Sequence, residues 1–156
     1  MLSIIIPHLK GTKNLSECIE SIQTNIKHEI VIVDNNSKDN SIEYIKKKFN
    51  HIKIVHSKIN RGYAGGCNLG AQKATGEYLL FLNDDTIIVN NAIEILVQAI
   101  QSDQNISSVQ PKILNYYNQN QFDYAGASGG YIDYLGYPFS RGRIFNTIEK
   151  DNQQYD

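Results

Sequence analysis

Four short aliphatic runs, mostly β-branched, recur through the first half of the chain, and helix-period or loop stretches separate them. This alternation constrains the fold more than any other feature. Leu2 to Ile6 is stopped by Pro7, and Ile30 to Val33 runs into Asp34-Asn35-Asn36-Ser37. Ile52 to Val55 follows, and Glu77 to Leu82 ends in Asn83-Asp84-Asp85-Thr86. Near-continuous apolar character suits strands covered on both faces. Leu15, Cys18, Ile19, Ile22 and Ile26 fall in steps of three and four, which predicts one apolar helix face, with Asn14 as its cap and Glu17 three residues on. Ile42, Ile45 and Phe49 predict a second helix starting near Asn40 or Ser41. A third is expected over 68–74, with Gly76 as its C-terminal cap. Ile93, Leu96, Val97 and Ile100 predict a fourth, and Ser107 to Pro111 a short fifth strand. Strands alternating with helices through short connections predict an α/β fold: a mainly parallel central sheet, right-handed crossovers, and helices on both faces.

Beyond Pro111 the texture changes. Residues 115–143 are rich in Tyr, Gly and Asn without helical period, so short strands are expected, near Tyr124-Ala125 and from Tyr131 to Tyr134. The reading is a core over 1–114, a Tyr/Gly-rich continuation of the same domain over 115–148, and a frayed polar tail over 149–156. At 41% hydrophobic the chain can bury a core without disulfide staples. Its 15 basic and 16 acidic residues leave a net charge of -1, which argues against nucleic-acid binding through bulk positive charge. Two cysteines, Cys18 and Cys67, make neither a disulfide framework nor a zinc motif, and fit a reducing cytoplasm. No apolar run reaches the ~18 residues of a membrane span. The opening residues read as a strand rather than a signal peptide.

In open α/β sheets ligands sit outside the carboxyl ends of the strands. Those ends carry Pro7-His8, Asp34-Asn35-Asn36-Ser37 and Asn83-Asp84-Asp85. Asp, Asn and Ser there also suit turns and helix caps. The adjacent carboxylates of Asp84 and Asp85 repel unless something positive lies beside them. A hard divalent cation is the natural partner, since magnesium takes one or two carboxylates and completes its shell with water and phosphate oxygens. The glycine-rich run Asn60-Arg61-Gly62-Tyr63-Ala64-Gly65-Gly66 is neither a P-loop nor a dinucleotide fingerprint, because no Gly-Lys-Ser/Thr follows and it comes after the third strand. It suits either a close backbone approach to a ligand or close packing of helix on sheet. Cys18 reads as core; His28, His51 and His56 read as surface or edge residues. His8 stands apart because it ends the first strand. The tyrosines at 116, 117, 124, 131, 134 and 137 could stack on sugar or cover a sheet edge.

Three early segments resemble the opening of family-2 glycosyltransferases of GT-A fold: Ser3-Ile4-Ile5-Ile6-Pro7, Leu15 to Ile22, and Ile32-Val33-Asp34-Asn35-Asn36-Ser37 with Asp39 and Ser41. The run from Asn60 to Thr86 resembles the bacterial branch that includes rhamnosyl- and galactofuranosyl-transferases. Pro111-Lys112-Ile113-Leu114, Asp123-Tyr124-Ala125-Gly126 and Arg141-Gly142-Arg143 extend the likeness to residues 2–143.

The resemblance implies a Rossmann-like, nucleotide-diphosphosugar-binding fold and transfer of a sugar, with inversion, to an acceptor hydroxyl, in cell-surface polysaccharide biosynthesis. The family's DxD position falls on Asn83-Asp84-Asp85, making Asp85 the metal ligand for Mg or Mn and Asp84 a contact to ribose or sugar. Asp34 and Asn35 match the base-recognising acids, and Pro7 would flank the base. Arg61, Gly65, Gly66 and Asn68 match the loop near the donor sugar and diphosphate. His8, Leu9 and Lys10 replace the usual Thr/Ser-Tyr-Asn, and Cys67 stands where Asn is common. The implied partners are a UDP- or dTDP-sugar and a saccharide or lipid-linked saccharide acceptor, with a place in the cytoplasm or peripherally at the inner face of the membrane. The family's base lies in an acceptor segment, and none of Asp123, Asp133 or Asp151 has its context. A truncated, non-catalytic nucleotide-binding fragment is therefore the alternative. An uncovered Tyr-rich face from Tyr116 to Phe145 would favour a homo-oligomer.

Overall fold

The computed structural model describes residues 1–123, 129–144 and 146–155. They divide into two compact units, Met1–Ile93 and Glu94–Asp156. In the first unit the elements run β1 (Leu2–His8), α1 (Thr12–Ser21), β2 (His28–Asp34), α2 (Ser41–Lys48), β3 (Lys53–His56), α3 (Gly62–Ala71) and β4 (Tyr78–Phe81). The sheet is parallel throughout, in the order β3-β2-β1-β4.

Strand β1 is central, and all seven of its residues are buried. Side chains alternate between faces along a strand. Ile5 packs with Val31 and Val33 on one face, under Leu69, Ala71 and Ala74. Ile4, Ile6, Ile30 and Ile32 fall on the other and are equally buried. Leu15, Cys18 and Ile19 of α1 and Ile42 and Ile45 of α2 are buried too, and α1 lies against α2. Close approach of α3 needs glycine. A Cβ on Gly70 would come within 2.4 Å of Ile5 Cγ2 and 2.9 Å of Val33 Cγ2, and one on Gly66 within 3.0 Å of Pro7 Cβ.

Several local expectations shift. Helix α1 starts after Gly11 (φ 89), whose N–H donates to Asp39 at 2.8 Å, so Asn14 lies inside the helix rather than capping it. The helix ends before Ile26. Helix α3 begins at Gly62 and stops at Ala71, so the glycine-rich run is largely the first turns of the helix. Gly76 is not its cap. It sits where a Cβ would lie 2.6 Å from Ser3 Oγ, and its N–H donates to that oxygen. Strand β4 is the sheet edge, with Leu79 and Phe81 exposed rather than covered.

The second unit continues α4 (Ala92–Gln101) and then carries two small antiparallel pairs. β5 (Gly130–Ile132) pairs with β6 (Pro138–Ser140), and β7 (Arg143–Ile144) with β8 (Thr147–Ile148). No strand forms over 107–111; the segment instead leads to a single bridge from Leu114 to Phe122. Phe122 is the buried centre of this unit, with Gly142 close against its ring. The polar end is tied in, with Asp151 N–H donating to Asn120 O and Asp151 paired with Lys112 at 2.9 Å. The strand expected at Tyr124-Ala125, and Gly126 and Phe145, lie outside the described residues.

Candidate functional site

Order β3-β2-β1-β4 sends the chain one way from β1 to β2 and β3, then across to β4 on the other side. The switch point lies between β1 and β4, and ligands of open α/β sheets bind at the carboxyl side of such a point. Parallel register aligns the ends there. His8 is level with Asp34, and Asp34 with His56, while Ile5 pairs with Phe81, just before Leu82-Asn83-Asp84-Asp85.

Asp34 is held on both oxygens. Oδ1 accepts the N–H of Ser37 at 2.8 Å, and Oδ2 lies 2.8 Å from His56 Nδ1. Partial burial pushes its carboxyl up, but the Ser37 and His56 hydrogen bonds outweigh that and hold it below the usual range. Asn35 is buried, and its amide faces the loop before α3. Nδ2 donates to Asn60 Oδ1 and Gly62 O, and Oδ1 accepts the N–H of Arg61. Arg61 is exposed, with Nε donating to Ser57 Oγ at 3.1 Å. A Cβ on Gly65 would lie 2.7 Å from Arg61 Cβ, so the glycine leaves room for that side chain. Asn68 is exposed on α3, whereas Cys67 is buried.

Beyond β4, Asn83 is exposed and its carbonyl accepts the Cys18 thiol at 3.4 Å. Burial, with the nearby charges of Asp84 and Asp85, pushes that thiol up to about 12, so Cys18 is an inert core group. Asp84 Oδ2 lies 2.7 Å from Nδ1 of His8, whose side chain is fully buried. Nε2 of the same ring lies 2.8 Å from Ser41 Oγ. The Ser41 hydroxyl donates in turn to Asp39 Oδ1. The hydrogen bonds from Ser41 and from the Gly11 N–H hold the Asp39 carboxyl down to about 2. Asp85 is exposed, and its carboxylate has no hydrogen-bond or ion-pair partner among the described residues.

The structure therefore brings Pro7, Asp34, Asn35, Arg61, Gly66, Asp84 and Asp85 to one sheet edge, the carboxyl end. Two residues that sequence reasoning set lower, His8 and His56, contact its acids directly. Their signal was positional: each ends a strand level with Asp34. Among the described residues no cluster of three or more His, Cys, Asp or Glu could enclose a metal ion. What the edge offers an ion is Asp85, whose carboxylate has no partner among the described residues. A single carboxylate suits a magnesium-like ion that keeps water and phosphate oxygens in its shell. Two shallow depressions, about 350 and 420 Å³, are lined by other residues, among them Asn118 and Lys150 in one and Ser16 and Lys48 in the other.

The model of the glycosyl transferase family 2 matches residues 3–155. The chain is 34% identical over 128 residues to glycosyltransferase GlyG of Streptococcus pneumoniae, covering 79% of this chain and 41% of that protein. It is 35% identical over 100 residues to a poly(ribitol-phosphate) beta-glucosyltransferase of Bacillus spizizenii, covering 59% and 16%. It thus spans well under half the length of these curated relatives. Among solved structures it resembles S. aureus TarS 1-349 in complex with UDP, with TM-score 0.58, 22% identity, and 73% of this chain and 39% of that one covered. It also resembles the mannosyltransferase PcManGT from Pyrobaculum calidifontis in complex with GDP-Man and Mn2+, with TM-score 0.58, 19% identity, and coverage of 72% and 33%. At these identities the structural likeness establishes a shared fold.

Proposed function

The chain belongs to glycosyl transferase family 2, and from there we propose that it supplies the donor-binding part of an inverting glycosyltransferase acting on a nucleoside-diphosphate sugar with Mg or Mn. The observation that carries this reading is the convergence at the β1/β4 switch point. Asp34, Asp84 and an unpartnered Asp85 share one sheet edge there, with α3 brought against Pro7 through Gly66. The UDP complex of TarS and the GDP-Man and Mn2+ complex of PcManGT support the ligand class. In this reading the donor-binding core is residues 1–114, and 115–148 continue it.

Each residue then has a role that its surroundings permit. Asp34, ionised and fixed by Ser37 and His56, accepts from the pyrimidine beside Pro7. Asn35 shapes the pocket indirectly by fixing the backbone from Asn60 to Gly62. Arg61 lends positive charge near the diphosphate, and Gly65, Gly66 and Asn68 let the start of α3 approach it. Asn83 and Asp84 face ribose or sugar. Asp85 would hold the cation, which when bound neutralises the departing diphosphate. In the transfer the bond from the anomeric carbon to the diphosphate breaks, and a bond to the acceptor oxygen forms on the opposite face. The acceptor's proton must go to a base, and we assign that base to no residue of this chain. Asp133 Oδ1 accepts the N–H groups of Leu135 and Tyr137 in a turn, and Asp151 pairs with Lys112.

The acceptor we propose is a saccharide or lipid-linked saccharide of a cell-surface polysaccharide. Two unpaired cysteines fit a cytoplasmic setting, and no helix among the described residues is long and apolar enough to cross a membrane. Exposed Tyr117, Tyr134, Tyr137 and Phe139 support self-association. Calorimetry with UDP and dTDP, with and without Mn2+, tests the reading. Metal-dependent binding of a nucleoside diphosphate is expected, and its absence for both nucleotides would sink the proposal. A screen of nucleotide sugars then identifies the donor.

A further inference from the structure

The second unit holds a cation that the reaction just outlined does not use. The Arg141 guanidinium lies 4.7 Å from the centre of the Tyr131 ring and 5.6 Å from that of Tyr155. Among the described residues, its Nε is the only buried side-chain nitrogen or oxygen without a hydrogen-bond partner. None of their carboxylates comes within ion-pair distance of it. The acids of the surrounding segments are committed elsewhere. Glu149 Oε2 accepts from the Tyr155 hydroxyl at 2.9 Å and from Gln154 Nε2 at 3.3 Å. Asp151 pairs with Lys112, and Asp133 Oδ1 takes the N–H groups of Leu135 and Tyr137.

Aromatic rings attract a guanidinium, but they leave its in-plane N–H donors unspent. Buried donors are nearly always paired, and one left over needs a reason. An arginine kept only as a staple would gain more from a carboxylate, yet Glu149, which touches the same Tyr155, is bonded to the hydroxyl instead. The frame around the cation is set in advance. Tyr131 faces Phe139 across the β5–β6 hairpin, with ring centres 5.5 Å apart. The Arg141 N–H donates to Gly129 O at 3.1 Å, and Gly142 (φ 78) then turns the chain against Phe122. A pinned backbone and two ring contacts leave the side chain little freedom to lose on binding. Arg141 is only half-buried, so a ligand can approach from solvent. A fixed planar fork short of acceptors fits an oxyanion, which it can hold through two parallel N–H···O bonds. We propose, resting on the glycosyltransferase reading above, that Arg141, held by Tyr131 and Tyr155, binds a phosphate or carboxylate group of the acceptor, so that the acceptor is an anionic glycan. The donor's own diphosphate has Arg61 and the cation at Asp85 in that reading, and does not need this arginine.

Backbone-amide NMR of the full chain tests this, with glycerol phosphate and glucuronate as probes and glycerol and glucose as neutral controls. Each titration is run with EDTA and again with stoichiometric UDP and Mg2+. At least one anion should bind about tenfold tighter than its neutral counterpart. It should shift the amides of Gly129, Tyr131, Arg141 and Tyr155 in both runs. The tighter of the two anions identifies the charged group of the acceptor. Arg141→Gln should weaken that anion about tenfold, and Arg141→Lys, which keeps the charge without the fork, should restore only part of the loss. Anions that bind no better than the neutral controls overturn the proposal, and so do shifts that miss the Arg141 cluster; neither reading needs a variant to fold. A folded Arg141→Gln chain with parental affinity overturns it as well. Anion shifts abolished by UDP and Mg2+ would hand Arg141 to the donor diphosphate and overturn it too. A parent chain that shows the anion shifts but never binds UDP defeats the donor-binding reading alone.

Discussion

The two ends of the parallel sheet each carry a carboxylate-centred network, and they differ in completeness. At the amino end, Glu29 Oε1 accepts from Ser3 Oγ, Thr75 N and Thr75 Oγ1, all within 2.7 Å. Partial burial pushes the Glu29 carboxyl up, but these bonds and the charge of Lys53 outweigh it and hold it at about 2. Ser3 Oγ also accepts the Gly76 N–H, closing the network around the entry to β4. At the carboxyl end the acids are unequally satisfied, with Asp85 exposed and without a partner among the described residues. A saturated carboxylate staples strands together. An unsaturated one beside a switch point is available to a ligand. The same residue chemistry thus serves stability at one edge and, in the proposed function, binding at the other.

The comparison can be broken most decisively at Asp85. Asp85→Ala should reduce Mn2+-dependent binding of UDP by at least ~100-fold in calorimetry, while the urea midpoint stays put because an exposed like-charged carboxylate is lost. Parental binding would remove Asp85 from the metal assignment. Glu29→Ala should do the reverse, lowering stability by about 2 kcal/mol in urea unfolding through loss of its hydrogen bonds and leaving UDP affinity unaltered. Its pH dependence has a definite sign. Because the folded value lies below the ordinary 4.5, the contribution of Glu29 is complete above about 4.5 and fades as pH falls toward about 2. Glu29→Gln should flatten that acid limb. Asp34→Ala should weaken nucleoside binding about tenfold, roughly 1.4 kcal/mol, and free diphosphate much less. Equal losses would contradict a role on the base side. Smallest is Thr75→Val, which removes one of three bonds to Glu29 and should cost about 0.5–1 kcal/mol with no change in nucleotide binding.

The alternation of apolar runs and helix-period stretches made the parallel sheet legible, because the middles of β1 and β2, Ile4–Ile6 and Ile30–Val33, are buried on both faces and wholly aliphatic. The acids at the strand ends were legible for the same reason: polar side chains directly after buried strands stand out. What lay beyond the sequence was long-range. Nothing local to Gly62–Gly66 says that these residues begin a helix. That follows from the contact of Gly66 with Pro7 and from the clamp that Asn35 places on the preceding backbone. Gly76 has the composition of a helix cap, yet what holds it is Ser3, far away in the chain. The roles of His8 and His56 depend on register, which a single sequence does not state. The Ser107–Pro111 run reads as a strand from its place in the alternation, but it takes no regular secondary structure.

The central place of β1 carries a consequence for how the chain is made. Its residues leave the ribosome before those of either neighbouring strand, and one flank finds β2 soon afterwards, Leu2 beside His28. The other flank is not occupied until Tyr78–Phe81 has been synthesised. For the intervening stretch, on the order of seconds at ordinary elongation rates, an isoleucine-rich strand has a bare hydrogen-bonding edge. The nascent chain is open to mispairing during that interval, and a chaperone arriving then would protect it more than one arriving after release.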